Sequence, residues 1–186
     1  MLKKSQKVAI YMEGHIYSEY GKMGMGVLRY LENEIVCVID KKYSNSNISD
    51  HYSNLKSVPV VNDLESAIKL RAEVLILGIA PSGGKVPSDW YPIIKMALSK
   101  GLSIINGLHD LLQNRFSNLI SKKNQWIWDV RVPNFVPEIA TGKAAKLNNK
   151  RLLMVGTDMA CGKMTTALEV LTWSKENKLK SGFIAT

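Results

Sequence analysis

Cysteine is nearly absent from this 186-residue chain, which holds only Cys37 and Cys161. Two thiols so far apart supply neither a disulfide framework nor the close spacing of a metal site. A reducing cytoplasm is therefore the expected setting, and no metal ligand set is expected. Long hydrophobic runs are missing too. The longest purely aliphatic stretch, Val74 to Leu77, is broken by Gly78 and stopped by Pro81, whereas a bilayer span needs about 20 residues. The basic N-terminus precedes an apolar run, Val8 to Met12, that is too short for a secretory signal. Acidic residues are the minority, 16 against 25 Lys and Arg, for a net charge of +9. Residues 140–186 carry eight basic and three acidic side chains, more than half of the excess. Such a surface suits nucleic acid, anionic lipid or a phosphorylated small molecule. No basic helix with interleaved aromatics occurs, so the expected partner is a small molecule, with no nucleic acid and no membrane. A homo-oligomer stays open.

What is present is a core. A 46% hydrophobic composition excludes disordered, collagenous and low-complexity classes, and the length fits one domain plus part of a second. Short apolar runs alternate with helix-period stretches. The runs Val8–Met12, Ile35–Asp40, Val58–Val61, Val74–Ala80 and Leu102–Asn106 read as strands, several of them rich in β-branched residues, as in a parallel sheet buried on both faces. Gly26–Leu31, Leu64–Leu70, Ile93–Ser99 and Asp110–Ile120 read as helices. The expected class is α/β, with a doubly wound, Rossmann-like parallel sheet over residues 1–132. Residues 133–150, with two prolines, a glycine and three lysines, read as a linker. A strand from Arg151, a glycine-bounded loop, a helix from about Lys163 to Asn177 and a strand Gly182–Ala185 then open a second, P-loop NTPase-like domain over 151–186. Such a unit cannot close a core alone. It either extends the first sheet or belongs to a truncated piece of a longer protein, and truncation is the favoured expectation.

The strongest chemical signal is the segment from Gly156 through Thr157, Asp158, Cys161, Gly162 and Lys163 to Thr165 and Thr166. Phosphate cradling needs this order of strand, glycine loop and helix. Glycines let backbone N–H groups approach the anion, the helix start points its positive end at it, and Lys163 adds a mobile cation. The match to G-x-x-x-x-G-K-[ST] is imperfect. Five residues separate Gly156 from Gly162, and Met164 stands where a hydroxyl normally ligands Mg²⁺. A thioether is a poor ligand for a hard cation, so the loop is expected to bind a phosphorylated group less dependent on Mg²⁺ than a hydrolysable nucleotide. The spacing resembles the variant loop of dethiobiotin synthetase. Cys161, between a helix start and Lys163, reads either as a thiol of lowered pKa or as a small side chain that fits the turn.

With the Gly156-Thr-Asp and Gly162-Lys-Met-Thr-Thr segments, Val38-Ile-Asp-Lys41 and Gly78-Ile-Ala-Pro-Ser-Gly-Gly84, the chain resembles the DgcN-like family over its whole length. The family comprises two-domain proteins long known only as a domain of unknown function, Rossmann-like at the N-terminus and P-loop at the C-terminus. The resemblance implies N-acetylation of D-glutamate, or a similar amino acid, with acetyl-CoA. Residues 156–166 alone carry over singly, as the cofactor-binding loop. An ATP-dependent ligase of dethiobiotin-synthetase-like type, with Mg²⁺ only in that case, and a non-catalytic nucleotide-binding module are the alternatives.

Weaker signals lie in the first half. Gly21-Lys-Met-Gly-Met-Gly26 with Asp40 invites a dinucleotide reading, but the glycine order is G-x-x-G-x-G and the run begins nine residues after Met12; plain helix-start glycines are the alternative. Ser82, Gly83 and Gly84 follow the fourth strand and offer backbone to a carboxylate or phosphate. His109 with Asp110, and His15 with Glu13, are candidates for a catalytic base; Asp110 also reads as the cap of the next helix. These candidates fall at strand carboxyl ends, where a shared crevice is expected. Trp126 and Trp128 alternate, so one face of an extended segment buries both, toward a domain contact.

Overall fold

The computed structural model describes residues 2–133, 135, 136, 138–158 and 161–185. Residues 2–136 form one compact unit and residues 138–185 a second.

The first unit is built on seven strands: β1 (Val8–Tyr11), β2 (Ile35–Ile39), β3 (Ser46–Asn47), β4 (Pro59–Val61), β5 (Val74–Leu77), β6 (Ser103–Asn106) and β7 (Ile127–Asp129). They lie in the order β3-β4-β2-β1-β5-β6-β7. All pairings are parallel except β3 with β4. The chain runs outward from β1 through β2 to β4, then returns to β5 and runs outward the other way. That reversal is the hallmark of a doubly wound sheet. Strand alternation sends Val8, Ile10 and Met12 into one apolar cluster and Ala9 and Tyr11 into the other. The first cluster is closed by Leu28 of α1 (Lys22–Tyr30) and Ile48 of the single turn α2 (Ile48–His51). The second is closed by α3 (Leu64–Lys69), α4 (Tyr91–Ser99) and α5 (Leu112–Phe116) through Ala67, Ile94, Leu98 and Phe116. Each fully buried aliphatic side chain of this kind contributes about 1.5–3 kcal/mol of transfer free energy.

Local chemistry sets the ends. Asp63 accepts from Ser66 N at 2.8 Å and starts α3, and this bond, first among the causes, lowers the Asp63 carboxyl below its ordinary range. Pro92 sits in the first turn of α4, where its missing N–H costs nothing. Gly101, at φ +85°, follows the last turn of α4 in a conformation that glycine adopts without strain.

Four expectations are corrected. The segments 151–155 and 182–185 form no strand. A strand exists only through its ladder, and neither segment has a ladder partner among the described residues; Leu152, Val155 and Ile184 are 73%, 80% and 87% exposed. The helix α6 (Lys163–Glu176) does form, because its hydrogen bonds are internal. The helix expected over Asp110–Ile120 is shortened to α5 and a 3-10 turn, Ser117–Leu119. Asp110 does not cap it: the carboxylate of Asp129, at the end of β7, accepts from Leu112 N at 3.0 Å and Gln113 N at 2.9 Å instead. Trp126 and Trp128 share a face across β7, as expected, and pack on the first unit's core beside the residues of β1 and β5. Among the described residues no helix is long and apolar enough to cross a membrane.

Candidate functional site

The glycine-bounded loop is folded back on itself. A Cβ at Gly156 would meet Cys161 Sγ at 2.4 Å and Lys163 Cγ at 3.2 Å, so only glycine fits where the start of the loop meets its end. Gly162, at φ +94°, turns the chain into α6. Lys163, the first residue of that 14-residue helix, swings back and donates through Nζ to the Asp158 carbonyl at 2.5 Å. The ammonium also lies 3.4 Å from Cys161 Sγ. The first amides of α6 have no acceptor within the helix, so the helix start presents N–H groups and a positive end beside the lysine. A carbonyl and a thiol thus lie against the Lys163 ammonium.

The hydroxyls divide. Thr166 Oγ1 donates to the Gly162 carbonyl at 3.1 Å, tying it to the first turn of the helix, while Thr165 is exposed beside it. Met164, next to the lysine, is also exposed. Met159 and Ala160, in the middle of the loop, lie outside the described residues. Thr157 is exposed, and so is Asp158. The Cys161 thiol is lowered from its ordinary value, first by its hydrogen bond with Lys163. Cys37, buried within the sheet, is pushed up to about 12 by loss of solvation.

The weaker candidates of the first unit separate into distinct places. Ser82–Gly84 and His109 come together at the ends of β5 and β6: His109 N donates to the Gly84 carbonyl at 2.8 Å, and the imidazole fills the space a Gly84 Cβ would need. Gly83 and Gly84 both have positive φ in this turn. Asp110 does not orient that imidazole; its carboxylate accepts from Val86 N at 2.5 Å. His15 sits after β1, with Nδ1 2.7 Å from Ser18 Oγ and its ring edge-on to Tyr20. Asp40 is fully buried; one carboxylate oxygen accepts from Lys42 N at 3.0 Å and the other, Oδ2, has no partner among the described residues. The glycine run serves packing rather than a phosphate turn at the tip of β1. A Cβ at Gly21 would lie 2.2 Å from the His15 carbonyl oxygen, and one at Gly24 would lie 2.5 Å from Met12 Sδ. The glycines therefore let α1 lie directly on the β1 loop.

A cleft of about 430 Å³ opens at the carboxyl ends of β1, β2 and β4, and none of His15, Asp40, Ser82–Gly84 or His109 lines it. Its polar residues are Tyr11, Glu13, Lys41, Asn62, Asp63 and Asp89. Sequence reading passed over Tyr11 and Asp89. A phenol ending a buried strand reads as core, and Asp89 lies between prolines in an unpatterned turn. A second cluster was also missed: Tyr17 bonds His51 Nδ1, His51 Nε2 lies 2.8 Å from Ser46 Oγ, and the Tyr43 ring stands edge-on to both Tyr17 and His51. No spacing rule links these residues, which the ends of β1 and β2 bring together.

Comparison with known proteins bears on the whole assembly. The first unit matches a domain of unknown function described as DUF1611_N, a Rossmann-like domain, over residues 41–133. Residues 138–186 match the DUF1611_C P-loop domain, which begins inside the stretch read as a linker. A protein named D-glutamate N-acetyltransferase from a Pseudoalteromonas species is 44% identical over 123 residues, 64% of this chain and 36% of that protein. Another of the same name, from Tritonibacter scottomollicae, is 37% identical over 125 residues, 66% of this chain and 37% of the relative. The chain thus spans little more than a third of the length of these relatives. A crystal structure of a DUF1611 family protein from Anabaena variabilis superposes with a TM-score of 0.87 at 39% identity, over 93% of this chain and 51% of that one. With a Rossmann-like sheet followed by a lysine-bearing loop at a helix start, and with both family models matched in order, the chain belongs to the DUF1611 family.

Proposed function

We propose that this protein is an N-acetyltransferase that takes the acetyl group of acetyl-CoA to the amine of D-glutamate or a similar amino acid. The observation that carries the reading is the closed loop from Gly156 to Lys163 with Met164 where a magnesium-ligating hydroxyl is usual. It offers a cation and helix-start amides to phosphate while withholding an oxygen ligand from a hard metal ion. Acetyl-CoA meets that description, with a pyrophosphate and a ribose phosphate and no need of a metal. The two relatives named D-glutamate N-acetyltransferase support the same reading.

Residues Gly156, Thr157, Asp158, Gly162, Lys163, Thr165 and Thr166 hold the phosphates in this proposal. When an anion enters, the Lys163 ammonium exchanges the Asp158 carbonyl for a phosphate oxygen, a stronger acceptor. Acetyl-CoA supplies the activated thioester. The amino group must lose a proton before it attacks, and His15 and His109 are the proposed acceptors, each at a strand carboxyl end. The partners are small molecules in the cytoplasm, without nucleic acid or membrane.

The test is paired. Calorimetry should show acetyl-CoA binding unchanged by magnesium, and Lys163→Ala should weaken it by about tenfold or more, the loss of one charge-assisted contact. Mass spectrometry of reactions with D- and L-glutamate should show an N-acetylated product and release of the CoA thiol. The spacing of five residues between Gly156 and Gly162, like that of dethiobiotin synthetase, favours a second reading, an ATP-dependent ligase. Binding of ATP only with magnesium, and no acetylated amine, would overturn the first reading, and ATP-dependent consumption of a carboxylate would then favour the second.

A further inference from the structure

The cleft at the ends of β1, β2 and β4 is unlike the rest of this basic protein. Three carboxylates line it, Glu13, Asp63 and Asp89, against the one cation of Lys41, so its charge is opposite to the +9 of the chain. Its other wall is apolar, made by Leu64, Ile93 and Met96 among others. The carboxylates are not equally occupied. Asp63 is committed to the start of α3 through Ser66 N, and Glu13 accepts from Lys41 N at 3.0 Å through one oxygen. Asp89 is exposed and makes no hydrogen bond or ion pair among the described residues. A second observation, independent of these acids, is Tyr11. It is 8% exposed, yet it lines the cleft, and its hydroxyl has no hydrogen-bond partner among the described residues. The ring is buried while the oxygen stays open to the cleft: among the described residues the buried side-chain oxygen without a partner is Asp40 Oδ2, not the Tyr11 hydroxyl. Aimed at a cleft, that hydroxyl marks a place for a polar group of a ligand.

From these we infer that the cleft binds an organic cation, a primary ammonium carried on an apolar body. The ammonium donates to Asp89 and to the remaining oxygen of Glu13, with the Tyr11 oxygen as a third acceptor, and the body lies against Leu64, Ile93 and Met96. A metal ion is the less suitable occupant: among the described residues no group of three acidic, histidine or cysteine side chains is placed to hold one. The field at Tyr11 agrees. Its phenol is pushed up to about 12, by burial first and then by Glu13, Asp89 and Asp40, whose negative charges converge there. The inference is independent of the acetyl-transfer reading, and it disfavours D-glutamate as occupant, since two ligand carboxylates would face the same field.

The test is a titration of the protein with phenethylamine and with its neutral isostere 2-phenylethanol, read by calorimetry and by shifts of backbone amide resonances at Glu13, Asn62 and Asp89. The amine is expected to bind about tenfold or more tightly than the alcohol, with shifts at those residues. The pair Glu13→Gln and Asp89→Asn keeps shape and hydrogen bonding and removes both charges; it should erase the preference, while Glu176→Gln on α6 should leave it intact. D-glutamate should bind this cleft more weakly than the amine. Equal binding of amine and alcohol, an unchanged preference in the doubly neutralised variant, or shifts that map elsewhere would each overturn the inference. None of these outcomes depends on whether acetyl-CoA binds the loop.

Discussion

Asp129 ends β7 and accepts three hydrogen bonds, from Leu112 N, Gln113 N and the Asn106 amide at 2.8 Å, with both side chains buried. Removing the carboxylate leaves three donors without an acceptor, so Asp129→Ala should destabilise the protein by about 3 kcal/mol, a lost cap plus buried unsatisfied groups. Asp129→Asn, which keeps one acceptor oxygen, should cost about 1 kcal/mol. Urea unfolding measures both, and an alanine variant as stable as the parent would show that water replaces the network. Asp110 was the natural choice from the sequence because it precedes the helix; proximity along the chain does not reveal a carboxylate that arrives from a neighbouring strand 17 residues later. The phosphate loop yields a second prediction. Lys163 lowers the Cys161 thiol, so the thiolate forms below the ordinary thiol range and alkylation by iodoacetamide should reach its plateau at a correspondingly lower pH. Lys163→Met should move that midpoint up. Cys37, buried and raised to about 12, should stay unlabelled in the folded protein, so intact mass reports Cys161 alone. A midpoint unaffected by Lys163→Met would remove the ammonium as its cause.

Among the elements, α1 shows most directly what glycine is for. Gly21→Ala would drive a Cβ into the backbone oxygen of His15, which cannot rotate away. We expect a loss of about 2–3 kcal/mol, the cost of forced overpacking. Gly26→Ala lies within the helix and meets nothing within 4 Å. It should stabilise by about 0.5–1 kcal/mol, the intrinsic helix preference of alanine. Both follow from urea midpoints; equal effects of the two substitutions would contradict the packing role. The buried strands β1, β2, β5 and β6 were legible as unbroken apolar runs, because a parallel sheet covered on both faces has no polar alternation to obscure them. The two-residue strand β3 and the turn α2 were not legible, since their residues, Ser46 to His51, carry no periodic pattern. Strands at 151–155 and 182–185 failed for the opposite reason: the apolar pattern is there, but a strand also needs a neighbour.

For the molecule as a whole, the seven strands and both apolar clusters lie within residues 2–136. A chain ending at Val136 should therefore unfold in urea as one cooperative transition with sheet-type circular dichroism; a non-cooperative melt would mean that the first unit does not stand alone. The sequence by itself determined the class, since alternating buried strands and helices admit few layer arrangements. It also determined the loop from Gly156 to Lys163, whose glycines, lysine and helix are contiguous in the chain. Tertiary structure alone decided the cleft beside Tyr11 and the cap supplied by Asp129. Those groups meet because separate strands end at one sheet edge, and a distance across a sheet leaves no mark on spacing along the chain.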